Sequence, residues 1–514
     1  MFLKVVMISF YIALIVGLSL YTRSKTKTID DFVVGNRSVG PWISAFSFGT
    51  AYFSAVLLIG FAGSVGWNYG VSALWIALGN SILGTYLAWK ILAPRTREMT
   101  SRLNVLTMPS FLEARYGSRN MRIFASLVIF VFFVPYSASV FMGLSYLFEQ
   151  IFSIPYVMAL VLMTLLTALY LTIGGYIAVT LIDFIQGLIM IVGVALMVYF
   201  VVGFEAVGGF ATGLQSLGAI DPQLAAPVGP PGIIGLLSLL ILTSLGTWGL
   251  PQMVQKFYGI KSEAVIPKAT VVSTIFALII TGGAYFVGSV GRLFFDSVPL
   301  LNGVPNTDLL VPNILSTTLP ELVAVLILIL VLSASMSTLS SLVLASSSSV
   351  SIDLLKGSLF KDMSEKSTMI IMRLLCVVFV MLSLWIALNP PALILTLMAL
   401  SWGTVAGTFL AAYIYGLFWE KTTKAGAWAG MLSGLAISVG GYLIISNQPA
   451  FINGEVLTLL TQWGTPFFGS LAMLIPLAIV PLVSYFTPDY TEEHLDEVYN
   501  RKNGEIAYEN VSGF

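Results

Sequence analysis

Apolar stretches of about twenty residues recur along the whole chain, parted by short polar segments. Twenty residues at 1.5 Å each make a helix about 30 Å long, the thickness of a bilayer's hydrocarbon core. The pattern predicts about thirteen spanning helices. They fall at 2–21, 41–66, 71–94, 121–148, 155–174, 178–203, 231–255, 268–290, 320–350, 369–388, 391–418, 425–446 and 464–486. The first stretch sits where a signal peptide would. It lacks an A-x-A-like cleavage site, and Arg23, Lys25 and Lys27 follow it rather than precede it, so a retained helix is expected.

The distribution of charge sharpens this picture. With the N-terminus outside, all of the 24 basic residues except Lys4 and Arg292 fall in loops on one side. That side collects Arg37, the block from Lys90 to Arg122, then Lys256, Lys261 and Lys268, then Lys356 to Arg373, Lys421, Lys424, Arg501 and Lys502. The positive-inside rule makes it the cytoplasm. Segment 204–230, rich in Gly and Pro, and segment 294–319, with a short helix expected near Leu309, become external loops. The tail from Pro488 is polar and acidic.

Composition excludes several classes. The chain is 57% hydrophobic and 9% charged, against about 25% charged in soluble domains, so lipid is part of its solvent. Net charge is zero and no basic run suggests nucleic acid. The single cysteine, Cys376, can form no internal disulfide and reads as a small buried hydrophobe. The single histidine, His494, lies in the tail, which removes zinc clusters and Ser/His/Asp triads from the membrane part. No Walker A or G-x-S-x-G element is present. Transport driven by an ion gradient is favoured, and an enzyme is not expected.

Two helices are interrupted at comparable places. One carries Gly49, Gly60 and Gly63 around Gly49-Thr-Ala-Tyr-Phe-Ser54, the other Gly246, Gly249 and Pro251. Paired broken helices in two halves of a transporter point to a midplane binding site. Glycines that merely permit close helix packing give the alternative reading. Helix 320–350 bears a polar stripe: Ser337, Thr338 and Ser341 share a face, Ala334 lies one turn earlier and Ser340 at the margin. Hydroxyls there plus carbonyls freed at a helix break would make a neutral oxygen cage for a hard cation; serines bonding their own i−4 carbonyls are the alternative. Asp183 lies about two turns inside a helix. A charge there calls for an ion, a partner or a water-filled cavity, unless it lies near enough to the interface to be solvated.

Several segments together resemble the sodium:solute symporter family, and its sodium/proline branch most closely. They are Asp31–Gly40, Gly174-Gly-Tyr-Ile-Ala-Val-Thr-Leu-Ile-Asp183-Phe-Ile-Gln186, Ala334-Ser-Met-Ser-Thr-Leu-Ser340, and Trp402-Gly with Phe418–Met431. The resemblance implies an all-α membrane fold, a five-plus-five inverted-repeat core like that of the neurotransmitter:sodium symporters. One extra helix precedes the core and two follow it. The first repeat would span 40–203 and the second 231–418, between an N-terminal region 1–39, an external loop 204–230, C-terminal helices 419–487 and a tail 488–514. It implies Na+ held by carbonyls of Thr50, Phe53 and Ala334 and hydroxyls of Ser337 and Thr338. A second Na+ would draw on Asp183, Ser337, Ser340 and Ser341. Substrate contacts would come from Ser54, Tyr136, Thr247, Trp248 and Gln252, with Trp248, Tyr136 and Phe53 boxing a small ligand. The sequence departs from proline carriers in having Tyr52 where they have an aspartate, and in the aromatics around Trp248. The expected function is Na+-coupled import, by alternating access in the cell (inner) membrane, of proline or a related amino acid. A monocarboxylate, pantothenate or a sugar is the alternative cargo, and a channel the alternative class. The expected partners are a small organic solute and membrane lipid, with neither nucleic acid nor an obligate protein partner.

Overall fold

The computed structural model describes residues 2–23, 28–449 and 452–499. Lys25, Lys27, Arg501 and Lys502, counted above on the basic side, lie outside the described residues. The principal helices are α1 (Phe2–Arg23), α2 (Pro41–Tyr52), α3 (Ala62–Tyr69), α4 (Leu74–Ser81), α5 (Arg119–Phe152), α6 (Tyr156–Gly203), α7 (Gly232–Gly249) and α8 (Pro251–Tyr258). They continue as α9 (Ile266–Ser289), α10 (Glu321–Ser348), α11 (Glu365–Leu388), α12 (Ile394–Phe418), α13 (Lys424–Asn447) and α14 (Gly454–Tyr485).

Every predicted span meets a helix, with different boundaries. Among the described residues, ten helices are long and apolar enough to cross a membrane, and Val6–Tyr21 and Tyr156–Ala168 are shorter apolar helices. Three of the thirteen are missing from the ten: 2–21 and 155–174 meet the two shorter apolar helices, and 41–66 breaks after Tyr52, its second part joining 71–94 in Val56–Arg102. α6 has 48 residues, about 72 Å if straight, and contains two apolar segments, Tyr156–Ala168 and Tyr176–Gly203. Segment 204–230 is not all loop: it holds the helix Phe210–Ile220. In 294–319 a two-stranded hairpin, Leu300–Leu301 with Val304–Pro305, precedes the helix Leu310–Thr318.

Burial separates core from periphery. In α12 and in the α10 span Glu321–Leu359, 83% of the most apolar window is buried, against 33% in α11 and 28% in α13. α10 and α12 are enclosed by other helices, whereas α11 and α13 present apolar side chains such as Leu374, Trp385 and Leu443 outward. Glycines let the inner helices meet. A Cβ on Gly249 would stand 2.8 Å from Ala406 O, and one on Gly246 2.6 Å from the Trp402 ring. The close-packing reading of these glycines therefore holds together with the helix break beside them.

The basic loops gather at one face and cap helix C-termini, where carbonyls lack partners. Arg115 donates to the carbonyls of Gly416 and Trp419 and to the Tyr499 hydroxyl. Arg37 donates to the carbonyls of Tyr258, Thr100 and Val105, fixing the segment that leads into α2. Arg122 pairs with Asp353 at 2.9 Å and Glu113 at 2.7 Å. Towards the other end of α12, Asp308 Oδ2 accepts the Ile394 N–H at 3.1 Å. Burial pushes the Asp308 carboxyl up to about 7, with that hydrogen bond pulling the other way.

Candidate functional site: a cation cage beside an aromatic cavity

α2 starts at Pro41, whose fixed φ and missing N–H suit a first helical turn. It stops at Tyr52 because Phe53 is extended, φ −114°, ψ 121°. Ser54 then starts the next helical segment, its Oγ accepting the Val56 N–H at 3.1 Å and its carbonyl that of Leu57 at 3.1 Å. The break takes away the i+4 amides that Thr50 and Ala51 carbonyls would otherwise meet. Two hydroxyls of α10 supply donors instead. Ser337 Oγ donates to Thr50 O at 2.9 Å and Ala334 O at 3.0 Å, and Thr338 Oγ1 to Thr50 O at 3.2 Å and Ala51 O at 3.3 Å. All of these residues are buried.

Thr50, Ala334, Ser337 and Thr338 thus converge, with Phe53 at the break two residues beyond Ala51. The separations of 2.9–3.3 Å are those of hydrogen bonds and lie close to those of oxygens around a cation. Two oxygens each about 2.4 Å from a hard ion and roughly 80–90° apart are about 3.1–3.4 Å from each other. Hydroxyl hydrogens rotate freely, so Ser337 and Thr338 can turn lone pairs inward when a cation enters. The i−4 reading of the stripe applies to a neighbour: Ser335 Oγ donates to Val331 O at 2.7 Å, away from the cage.

Of the four residues expected to hold a second ion, Asp183 keeps one carboxylate oxygen, Oδ1, buried without a hydrogen-bond partner. Ser340 Oγ donates to Ser337 O at 2.8 Å, and Ser341 Oγ is buried without a hydrogen-bond partner. Asp183 Oδ2 instead accepts from Ser47 Oγ at 2.6 Å and Lys256 Nζ at 3.3 Å. Asp183 therefore faces a partner, and Lys256 is not a loop charge: it lies within α8, 3% exposed.

A small cavity of about 20 Å³ adjoins the cage. Ser54, Tyr136 and Phe53 line it, together with Tyr52, Asn80, Tyr285 and Trp402. The rings form one wall: Tyr52 stacks on Phe53 at 4.1 Å and on Trp402 at 5.9 Å, and Tyr136 meets Trp402 edge-on at 5.8 Å. Tyr52 Oη donates to Thr243 O at 2.6 Å, and Asn80 Oδ1 accepts from Thr243 Oγ1 at 2.8 Å. Trp402 Nε1 and Tyr285 Oη are buried without hydrogen-bond partners.

Three expected substrate contacts lie elsewhere. Thr247 Oγ1 donates to Gly84 O at 2.8 Å. Trp248 is only half-buried and its indole N–H donates to Leu83 O at 2.9 Å, so it pins α7 to the helical stretch Ile82–Leu92 and leaves the box to Trp402. Gln252 is buried in α8 outside the cavity lining, and neither amide atom has a partner. The break between α7 and α8 is real: Leu250 has ψ 119°, and Pro251 opens the next helix. Sequence reasoning missed Tyr52, taken only as a lost aspartate, and Trp402, used only as a family marker.

The profile of the Sodium:solute symporter family matches residues 32–434. The chain belongs to the sodium:solute symporter family. It is 31% identical over 440 residues to the Sodium/proline symporter of Staphylococcus aureus, covering 84% of each chain. The same named protein from S. aureus strain JH9 is 31% identical over 441 residues. Among solved structures, the chain resembles a Na+-coupled sialic acid symporter in its substrate-bound outward-open state. The TM-score is 0.74 at 19% identity, over 95% of this chain and 98% of that one. The expected fold class stands, and this family member is a multi-pass membrane transporter with Na+ as its coupling ion.

Proposed function

We propose that the chain imports proline or a related small amino acid by Na+ symport, with Na+ held by Thr50, Phe53, Ala334, Ser337 and Thr338. The observation that carries this reading is the cage of hydroxyls and freed carbonyls at the same helix break that lines the aromatic cavity, Phe53 and Ser54 belonging to the break and the cavity wall. Na+ entry draws α2 and α10 together and so fixes the wall of the substrate site. Coupling follows from differential affinity: an ion binding all states equally would shift none of them. Repeats 40–203 and 231–418 rock around this centre, the N-terminus lies outside and the basic face is cytoplasmic, in the cell membrane.

The lining supports a compact, largely apolar solute over a sugar. It contains no charged side chain, and its unpartnered polar groups include Trp402 Nε1–H and Tyr285 Oη, which can donate to a carboxylate. The sodium/proline relatives bear on the same choice. Proteoliposomes with an inward Na+ gradient should accumulate tritiated proline above its outside concentration, and a panel of amino acids, lactate, pantothenate and glucose should rank the competitors. Equilibration without accumulation would indicate a channel. Accumulation blocked only by a non-amino acid would retain symport and replace the cargo.

A further inference from the structure

Ser47, Asp183 and Lys256 form a buried cluster that neither the Na+ cage nor the cavity uses, joined through Asp183 Oδ2, while Asp183 Oδ1 has no hydrogen-bond partner. Lys256 Nζ lies 2.8 Å from Ser47 Oγ and 3.3 Å from Asp183 Oδ2, Ser47 Oγ lies 2.6 Å from the same carboxylate oxygen, and the Tyr176 ring centre is 5.5 Å from Nζ. Lys256 is 3% exposed and Asp183 1%. The ammonium, with three donors and no acceptor, meets a carboxylate, a hydroxyl and an aromatic face. Carboxylate and hydroxyl oxygens are also what a hard metal ion takes.

The cluster sits beside the Na+ cage. Ser47 precedes Thr50 and Ala51 by three and four residues, so all three lie on one face of α2, about one turn apart. Two cation positions thus share α2. One is a neutral cage of hydroxyls and carbonyls. The other already contains a covalently tethered positive charge, which neutralises Asp183 and would repel an ion placed next to it.

We propose that Lys256 is the protein's own second cation: its ammonium fills the position beside Asp183, so the transporter takes one Na+ per cycle. This rests on the reading that Thr50, Ser337 and Thr338 hold the transported ion. Lys256 is then a stoichiometry-determining residue. With one ion, the substrate gradient that can be built scales with the Na+ gradient to the first power instead of its square.

The test is equilibrium binding of 22Na+ to the purified full chain in detergent, at pH 8.5 so that a carboxyl freed of its partner is ionised. The wild-type chain should bind one ion per chain with a hyperbolic isotherm. Lys256→Met, checked by monodisperse elution and circular dichroism, should bind two, and Lys256→Arg, which keeps a cation, should bind one. Asp183→Asn should also still bind one. Two ions in the wild-type chain, one in folded Lys256→Met, or none in folded Asp183→Asn would each overturn the proposal. Where Lys256→Met does not fold, a wild-type count of two, or none in folded Asp183→Asn, still overturns it. Ser337→Ala/Thr338→Ala in the Lys256→Met background should return the count from two to one. A wild-type chain that binds no ion at all would remove the Na+ cage itself, and this outcome is distinct from a count of two.

Discussion

Removing the two α10 hydroxyls tests the Na+ cage directly. In Ser337→Ala the ion loses one oxygen, while Thr50 O keeps its hydrogen bond from Thr338 at 3.2 Å. The Na+-free state therefore changes little. The lost interaction with a charged group is worth about 1.5–3 kcal/mol, which weakens Na+ binding roughly 10- to 100-fold at 1.4 kcal/mol per decade. In Ser337→Ala/Thr338→Ala the ion loses about 3–6 kcal/mol, but Thr50 O and Ala51 O also lose their donors when the ion is absent. That raises the Na+-free state by about 1–3 kcal/mol. The net loss is about 2–4 kcal/mol, roughly 30- to 1,000-fold, less than the sum of two single effects. A thermal-shift titration with NaCl against KCl at fixed ionic strength measures it. Na+ at one hundred times its Kd stabilises by about 2.7 kcal/mol, and a hundredfold weaker site leaves about 0.4 kcal/mol. Ser335→Ala is the control, since Ser335 bonds its own helix at Val331. A double variant that keeps the wild-type Na+ response would refute the cage.

Three further outcomes follow from the packing. Gly84→Ala places a Cβ 2.5 Å from Tyr52 Oη; it should push Tyr52 off Thr243 and raise the KM for solute uptake, with a smaller change in Na+ affinity. Asp353→Ala strips a carboxylate from Arg122, whose side chain is 15% exposed. It should destabilise by about 3 kcal/mol, read as a lower apparent Tm. Asp308 has its carboxyl raised to about 7 by burial, so the folded state holds a proton that the unfolded state releases near 4. Its contribution to stability is therefore fully present below about pH 4 and is lost as pH rises towards 7. Asp308→Asn keeps an acceptor for Ile394 N–H and should flatten that part of the pH–Tm curve; an unchanged curve would count against the assignment.

Much of this protein was legible from the chain alone, because a bilayer leaves few choices. Backbone groups in hydrocarbon must bond internally, so each twenty-residue apolar run had to be helix, and sparse charge made loop sidedness readable. That Ser337 and Thr338 would meet the break near Thr50 was legible too, since a Gly-rich interruption and a hydroxyl stripe are local patterns. What stayed hidden depends on residues far apart in sequence. Lys256 read as a loop charge because hydropathy cannot show that α8 turns it towards Asp183, 73 positions away. Trp248 and Trp402 look alike in sequence; only the packing of α7 on Ile82–Leu92 directs one to a backbone carbonyl, while α12 sets the other in the cavity wall. Periodicity gives the face of a helix, and tertiary packing decides which neighbour that face meets.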